Sequence, residues 1–491
     1  MSVFVFNQNV KIKSLRKCVG LASKTNLFLT THYLYENERA QIDSMFSEST
    51  YKTFADFLSD EEMAIIDNNS YTSAKMDVDE YITNIKISKN LLVLEKVLKA
   101  FRTDKLYILS DGLGIDKSTW EKYGFKYIKC KYYKEPLTPK KWLKNKIKSI
   151  PGVMFVKNKL IDKKKKITKT EAFVGYFNNR KYIFIGQLSR IGYRLNIDFV
   201  QSDEEARKLE AGDYESGETC TYMTTWHEHW KCNVPDDNKY EVRWAQDGYL
   251  PPNYSHKDYF FKPNNVKYYC WDELGTHLFR NQGLPYELIP FRKKLYLPTP
   301  IFPNKIRNIL IVASGAGDWT ALKNRSDDDI MVDAFAKMAR RFPDIQFTYR
   351  CHPTWVHPNH LGINSINRVI EYFEWLGLSN LKVSSNIPQA ASEDGFKLSF
   401  SRSSLDDDLK LADFVFGEHS ISMIDGAFKG IPFCSVNLTN RRNFFVGINN
   451  LGFPMCNTVE EIEKVIDNGM SEEFKRIFLK AIASYNEMTD L

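Results

Sequence analysis

Between Asn308 and Asn437, short strand-like segments of four to six residues alternate with longer helical stretches, and this alternation restricts the chain more than any other feature. The runs Asn308–Ala313, Gln346–Arg350, Leu381–Ser384, Phe414–Gly417 and Phe433–Asn437 predict strands. The stretches Asp327–Arg341, Ile366–Leu376, Leu405–Leu411 and Ser422–Lys429 predict the helices between them. Short buried strands, each followed by a helix that returns the chain, form a repeating βα unit suited to parallel pairing. The pattern therefore predicts a doubly wound parallel α/β sheet, whose ligands bind beyond the carboxyl ends of its strands.

A chain of 491 residues exceeds one core, which rarely grows past about 250 to 300 residues. The prolines of Leu297–Pro303 continue neither a helix nor a central strand and mark the boundary. The expected organisation is residues 1–296 as an amino-terminal α/β domain with a basic insertion around 140–170, then 304–458 as the nucleotide-binding domain. Residues 459–491 are expected as helices, with apolar positions at Ile462, Val465, Ile466, Phe474, Ile477 and Phe478. In the first half, strands are expected at Leu27–Thr31, Lys105–Ser110, Lys126–Cys130, Lys181–Ile185 and Thr221–Thr225, with helical stretches at Asn90–Phe101 and Asp203–Glu210. They read as one open sheet of unspecified strand order.

The eight cysteines form no C-x-x-C pair, which predicts reduced and mostly buried thiols without a structural disulfide. No run approaches the ~20 apolar residues of a spanning helix, and the start carries no leader-like apolar core, so a cytoplasmic protein is expected. The net charge of +7 concentrates in Lys140–Lys169, where basic residues interleave with Trp142, Leu143, Ile147, Val153, Met154 and Phe155. That segment suits the inner face of an anionic membrane, at about 1 kcal/mol per basic residue, and a solvated loop is the alternative. No nucleic-acid-binding fold accompanies the charge, so nucleic acid is not expected as a partner.

Four loops at strand ends carry groups suited to chemistry. Ser314, Gly315 and Gly317 follow the strand NILIVA, and glycines there admit a phosphate or sugar close to backbone N–H groups; a tight turn is the alternative. His352 ends the next strand, where it suits contact with, or protonation of, a departing phosphate, and Arg350 suits a bidentate phosphate contact or a strand-end ion pair. Glu418, His419, Ser420, Ser422 and Asp425 fall together at a strand-to-helix turn. The hydroxyls there suit an anion, Asp425 suits ribose hydroxyls, and Gly430 with Pro432 ends the unit. Ser404 and the aspartates after it read as a capped helix start. In the first half, Glu228 and Asp247 are candidate bases, while His227 and His229 with Cys232 lack a further ligand in view, so no metal is expected.

The run Ser420–Pro432 resembles the phosphate-and-ribose helix of GT-B glycosyltransferases, in which Ser or Thr, an acidic residue and G-x-P follow in order. With His352-Pro353 it is similar to enzymes using CMP- or CDP-activated donors: capsule-type β-Kdo transferases, His-Pro sialyltransferases and CDP-glycerol glycerophosphotransferases. Asp247–Pro252 loosely resembles a D/E-G-Y-x-x-P element of the capsule-synthesis group. The resemblance implies a GT-B-like α/β fold of two Rossmann-like domains facing a cleft, with the tail crossing back to the amino-terminal domain. It implies a CMP-sugar donor, no required cofactor or metal, and a polysaccharide or glycolipid acceptor. His352, Ser420 and Ser422 would then meet the phosphate and Asp425 the ribose. Asp425 stands where many relatives carry Glu. UDP- or GDP-sugar transfer, glycerophosphate transfer, epimerisation and a noncatalytic scaffold at the membrane surface are the rivals.

Overall fold

The computed structural model describes residues 1–131 (except 9, 75–77, 102, 104, 110–114 and 116), 171–186, 195–215, 220–225, 242–245, 266–270, 276 and 286–313 (except 290). It further describes 326–352, 365–385, 400–439 (except 419) and 451–490 (except 468–469). Three sheets are found among them.

The first contains β1 (Ser2–Phe6), β2 (Asn26–Thr30), β3 (Ser49–Thr53), β4 (Leu106–Ile108) and β5 (Lys126–Tyr127), all parallel in the order 3-2-1-4-5. This is the strand order of a Rossmann-like sheet. β1 is central and wholly buried. In-register pairing lines up Tyr51, Phe28, Phe4 and Tyr107 across four strands, with ring centroids 5.9, 5.3 and 5.2 Å apart in turn. Neighbouring strands about 4.8 Å apart dictate this offset stacking. Helix α1 (Glu36–Asp43) follows β2, and its amino end is fixed by the Glu38 carboxylate accepting from the Tyr35 N–H at 2.9 Å. Between β3 and β4 stand two helices, α2 (Asp60–Ala74) and α3 (Val78–Ala100), tied by Lys96 donating to Glu62 at 2.6 Å. Helix α4 (Lys117–Lys122) leads into β5.

The second sheet contains β6 (Ala172–Phe177), β7 (Arg180–Ile185), β8 (Val200–Gln201), β9 (Cys220–Thr225), β10 (Val242–Ala245), β11 (Val266–Cys270) and β12 (Glu287–Leu288), ordered β12-β11-β10-β9-β7-β6-β8. It is parallel from β7 to β12 and antiparallel where β6 meets β7 and β8. Helix α5 (Asp203–Ala211) starts at Ser202, whose hydroxyl accepts from the Glu205 N–H at 3.2 Å.

The third sheet contains β13 (Asn308–Val312), β14 (Gln346–Arg350), β15 (Leu381–Ser385), β16 (Phe400–Arg402), β17 (Phe414–Gly417), β18 (Phe433–Val436) and β19 (Met455–Cys456). All pairs are parallel in the order β16-β15-β14-β13-β17-β18-β19, so this too is a Rossmann-like, doubly wound sheet. Its helices are α6 (Ser326–Arg341), α7 (Ser365–Leu376), α8 (Leu405–Leu411), α9 (Ser422–Ala427), α10 (Val459–Asp467) and α11 (Glu472–Asp490). Gly430, at φ +75°, takes the left-handed turn that ends the α9 segment before β18. Phe474 and Phe478 of α11 pack on Phe414, Phe433 and Phe302.

The α/β class with two Rossmann-like sheets agrees with the expectation, but the grouping of segments differs from it. Residues 1–136 form one compact unit with 300–442 and 454–478, whereas 137–299 form a second unit with 443–453 and 479–491. The strands at 181–185 and 221–225, expected beside those at 27–31 and 105–110, belong to a separate sheet. The residues of a strand record its burial, while its neighbours are chosen by tertiary contacts. The proline-rich run spans the point where the units divide, at Thr299 and Pro300. Its Leu297 exchanges two backbone hydrogen bonds with the Asn486 amide, at 2.8 and 2.9 Å. Among the described residues no helix is long and apolar enough to cross a membrane.

Candidate functional site

Strand order in the third sheet turns back between β13 and β17, and a switch point of this kind is where doubly wound sheets take ligands, outside the carboxyl edge. Val312 pairs with Arg350 on one side and with Gly417 on the other, so the three strands end level. The segments leaving that edge start at Ala313, Cys351–His352 and Glu418–Ser420. β14 and β17 flank β13, about 10 Å apart at the usual strand spacing. Gly417 is required for this closeness: a Cβ there would lie 2.7 Å from Val312 Cγ2 and 3.1 Å from Val312 O.

Glu418 and Ser420 are buried at this edge, and His352, Ser422 and Asp425 are half-buried. The turn into α9 begins at the Ser420 carbonyl, which accepts from the Met423 N–H at 3.1 Å, while the Ile421 carbonyl accepts from Asp425 at 3.1 Å. Ile421 is already in helical conformation and occupies the capping position without a side-chain bond. Ser422 is thus the first residue of a six-residue helix and not its cap, because the backbone of Ser420 and Ile421 has begun the turn before it.

Arg350 takes the strand-end ion-pair role. Its Nη1 lies 2.6 Å from Asp408 Oδ2 and also donates to the Ser403 carbonyl at 3.1 Å and to Ser384 Oγ at 3.3 Å. Asp408 further accepts from the Ser384 hydroxyl and, at 2.6 Å, from Ser403. The buried carboxylate so joins β14, β15 and the turn into α8 two residues before His352. Ser404 caps α8 as expected, accepting from the Asp407 N–H at 3.1 Å. Beside His352, burial pushes the Cys351 thiol up, with Asp328 adding to the effect, so the sulfur stays protonated.

Ser314, Gly315, Gly317, Pro353, His419, Glu228 and Asp247 lie outside the described residues, as do His227, His229, Cys232 and the basic run 140–169. No motif singled out the carboxyl edge of the first sheet, where Asn7, Gln8 and His32 are buried. The strand order of that sheet turns back between β1 and β4, and Asn7 and Gln8 leave β1 at that point. His32 follows β2, and its Nδ1 has no hydrogen-bond partner. Burial first, and the nearby Arg368 second, hold its pKa well below the ordinary 6.5, so the imidazole is neutral. The sequence signal was the run of amides directly after the apolar SVFVF.

No protein-family model and no curated protein matches the chain. Among solved structures it is similar to the Glycosylation Associate Protein (Gap123) complex from Streptococcus agalactiae, at 15% identity over 63% of this chain and 60% of that one, with a TM-score of 0.32. The chain thus spans less than two thirds of that protein's length. It is also similar to TarM, at 9% identity over 96% of each chain and a TM-score of 0.32. A glycosyltransferase from Rickettsia africae ESF-5 matches at 12% identity over 99% of this chain and 92% of that one, with a TM-score of 0.25. The class of the protein rests on strand order: it is an α/β protein with two Rossmann-like sheets in one compact unit.

Proposed function

We propose that the chain is a glycosyltransferase that takes a sugar from a nucleotide-activated donor at the carboxyl edge of the third sheet. The observation that carries this reading is the switch point itself. At one edge it brings level the end of β13 at Ala313, the start of the turn at Glu418 that leads into α9 and, one strand from β13, His352. In the proposed reaction the bond between the anomeric carbon and the donor phosphate oxygen breaks, and its electron pair stays on the phosphate. His352 and the hydroxyls of Ser420 and Ser422 stabilise that developing charge, and Asp425 holds the ribose. The acceptor hydroxyl oxygen bonds to the anomeric carbon and gives its proton to a carboxylate of the first half, Asp247 or Glu228. The resemblance of Ser420–Pro432 taken together with His352-Pro353 supports a cytidine nucleotide, a Kdo-like sugar and a surface polysaccharide or glycolipid acceptor as the donor and acceptor of this reading. Work at the inner membrane face through Lys140–Lys169 fits such an acceptor, and the proposed reaction uses no metal.

A thermal-shift panel of CMP, CDP, UDP, GDP and ADP tests the reading. Selective stabilisation by CMP or CDP that fades in His352→Ala/Ser422→Ala is the expected result. Selective stabilisation by UDP or GDP discards the cytidine donor and keeps the reaction class. No shift with any nucleotide in a folded protein overturns the donor site.

A further inference from the structure

We infer that the first and third sheets move as a single rigid body, held by a buried latch centred on Arg368. Arg368 is the fourth residue of α7 and is 2% exposed. Its Nε and Nη2 donate to the two Glu38 oxygens at 2.7 Å each, and Nη2 also donates to the Tyr33 carbonyl at 2.6 Å. Nη1 donates to Asp329 of α6 at 3.3 Å. The guanidinium lies over the Tyr35 ring at 4.8 Å, and that ring stacks on Tyr372 of α7 at 4.7 Å with 4° between planes. The Tyr35 hydroxyl donates to Asp329 at 2.5 Å. Burial, and then the charge of Asp329, push Tyr35 well above its ordinary pKa, so it remains a donor. Asp333 closes the outer side, accepting from Tyr33 at 2.9 Å and Tyr372 at 2.7 Å and pairing with Lys337 at 2.8 Å.

Tyr33, Tyr35 and Glu38 follow the carboxyl end of β2, whereas Asp329, Asp333, Arg368 and Tyr372 belong to the two helices that leave the carboxyl edge of the third sheet. The sheets therefore meet through their carboxyl edges. An apolar contact slides at small cost, but a planar fork with every nitrogen engaged tolerates little displacement before a buried charge loses its partner. A ligand bound between these edges accordingly meets preformed positions, and binding proceeds without hinge closure between the two sheets. This inference does not depend on the proposed activity.

Hydrogen exchange on the full chain at increasing sub-denaturing urea tests it. In the wild type, amides of α1 on one side and of α6 and α7 on the other are expected to open along one common urea dependence. Arg368→Met is expected to separate them, with α1 exchanging at least ten-fold faster relative to β13 and β14. The control Val369→Ala, at the buried neighbour in the same turn, is expected to speed both sides equally. Separate urea dependences of α1 and α7 in the wild type overturn the inference. So does an Arg368→Met protein in which β13 and β14 accelerate as much as α1. Should Arg368→Met fail to fold, Glu38→Gln is read by the same criterion, and the wild-type comparison decides independently.

Discussion

The first and third sheets share a core strand order yet load their carboxyl edges with different chemistry. Around its switch point the third presents His352, Glu418, Ser420 and Asp425, groups able to hold or exchange protons. The first presents buried amides, Asn7 and Gln8, and a histidine held neutral by burial. Among the described residues their crossovers differ as well: one helix is described after β13 and one after β14, whereas the two helices α2 and α3 stand between β3 and β4. Strand order fixes where a ligand can sit, and the loops decide what it is. The two edges are joined at Arg368, so a change at the junction reaches both.

The largest effect is expected there. Arg368→Met leaves Glu38 and Asp329 buried without their cation, and losing one partner of a buried pair costs about 3–5 kcal/mol. Urea unfolding of the full chain measures it. If both sheets contribute to the junction, Glu38→Leu added to Arg368→Met recovers part of the loss. Additive losses would show instead that the two sides act separately.

The second effect separates the edges by ligand. A nucleotide at a hundredfold excess over its Kd stabilises the native state by about 2.7 kcal/mol. His352→Ala/Ser422→Ala is expected to abolish most of this gain, while Asn7→Ala leaves it intact. Calorimetric melting with and without nucleotide reads the difference. An equal loss in Asn7→Ala would place the nucleotide against the first sheet.

The third compares how tightly each region is built. Gly417→Ala forces a Cβ to 2.7 Å from Val312 and is expected to cost about 1–3 kcal/mol, the usual price of overpacking. Gly20, in the segment between β1 and β2, has no atom within 4 Å of such a Cβ, so Gly20→Ala should stay within about 0.5 kcal/mol. Chemical denaturation of the pair checks the contrast, and equal costs would remove the case for close approach at the switch point.

The same two regions show what a sequence discloses. In the third sheet, NILIV, FVFG and FCSV are largely apolar runs, QFTYR and LKVSS are short mixed segments set between helical stretches, and the observed strands fall within one residue of those expected. The two-residue β19 and the short β16 carry too little pattern to be read. In the first sheet, β3 is the edge strand STYKT, polar and alternately exposed, and periodicity does not flag it. Glu418, Ser420 and Asp425 are legible as candidates because they stand in one contiguous run. His32 is not, since Phe6, β2 and Arg368 meet around it only after folding. Arg350 shows the reverse: its residue type suggests an anion, and only the fold supplies Asp408.

The smallest effect expected is a pH dependence from His32. Its folded pKa lies well below 6.5, because burial and then Arg368 disfavour a second positive charge. Below pH 6.5 the unfolded chain takes up a proton that the native protein refuses. Stability is therefore complete above pH 6.5 and falls as the pH drops toward the native pKa, by at most about 1.4 kcal/mol per pH unit. Asp329 works in the opposite direction: burial raises its carboxyl above 3.8, so its contribution is full below pH 3.8 and is lost as the pH rises through the native value. Comparing wild type with His32→Gln at each pH between 7 and 5 cancels Asp329 and isolates the imidazole. The expected result is a smaller loss of stability on acidification in His32→Gln. Equal slopes would mean that His32 accepts a proton in the native state, and its neutrality would no longer distinguish the first edge from the third.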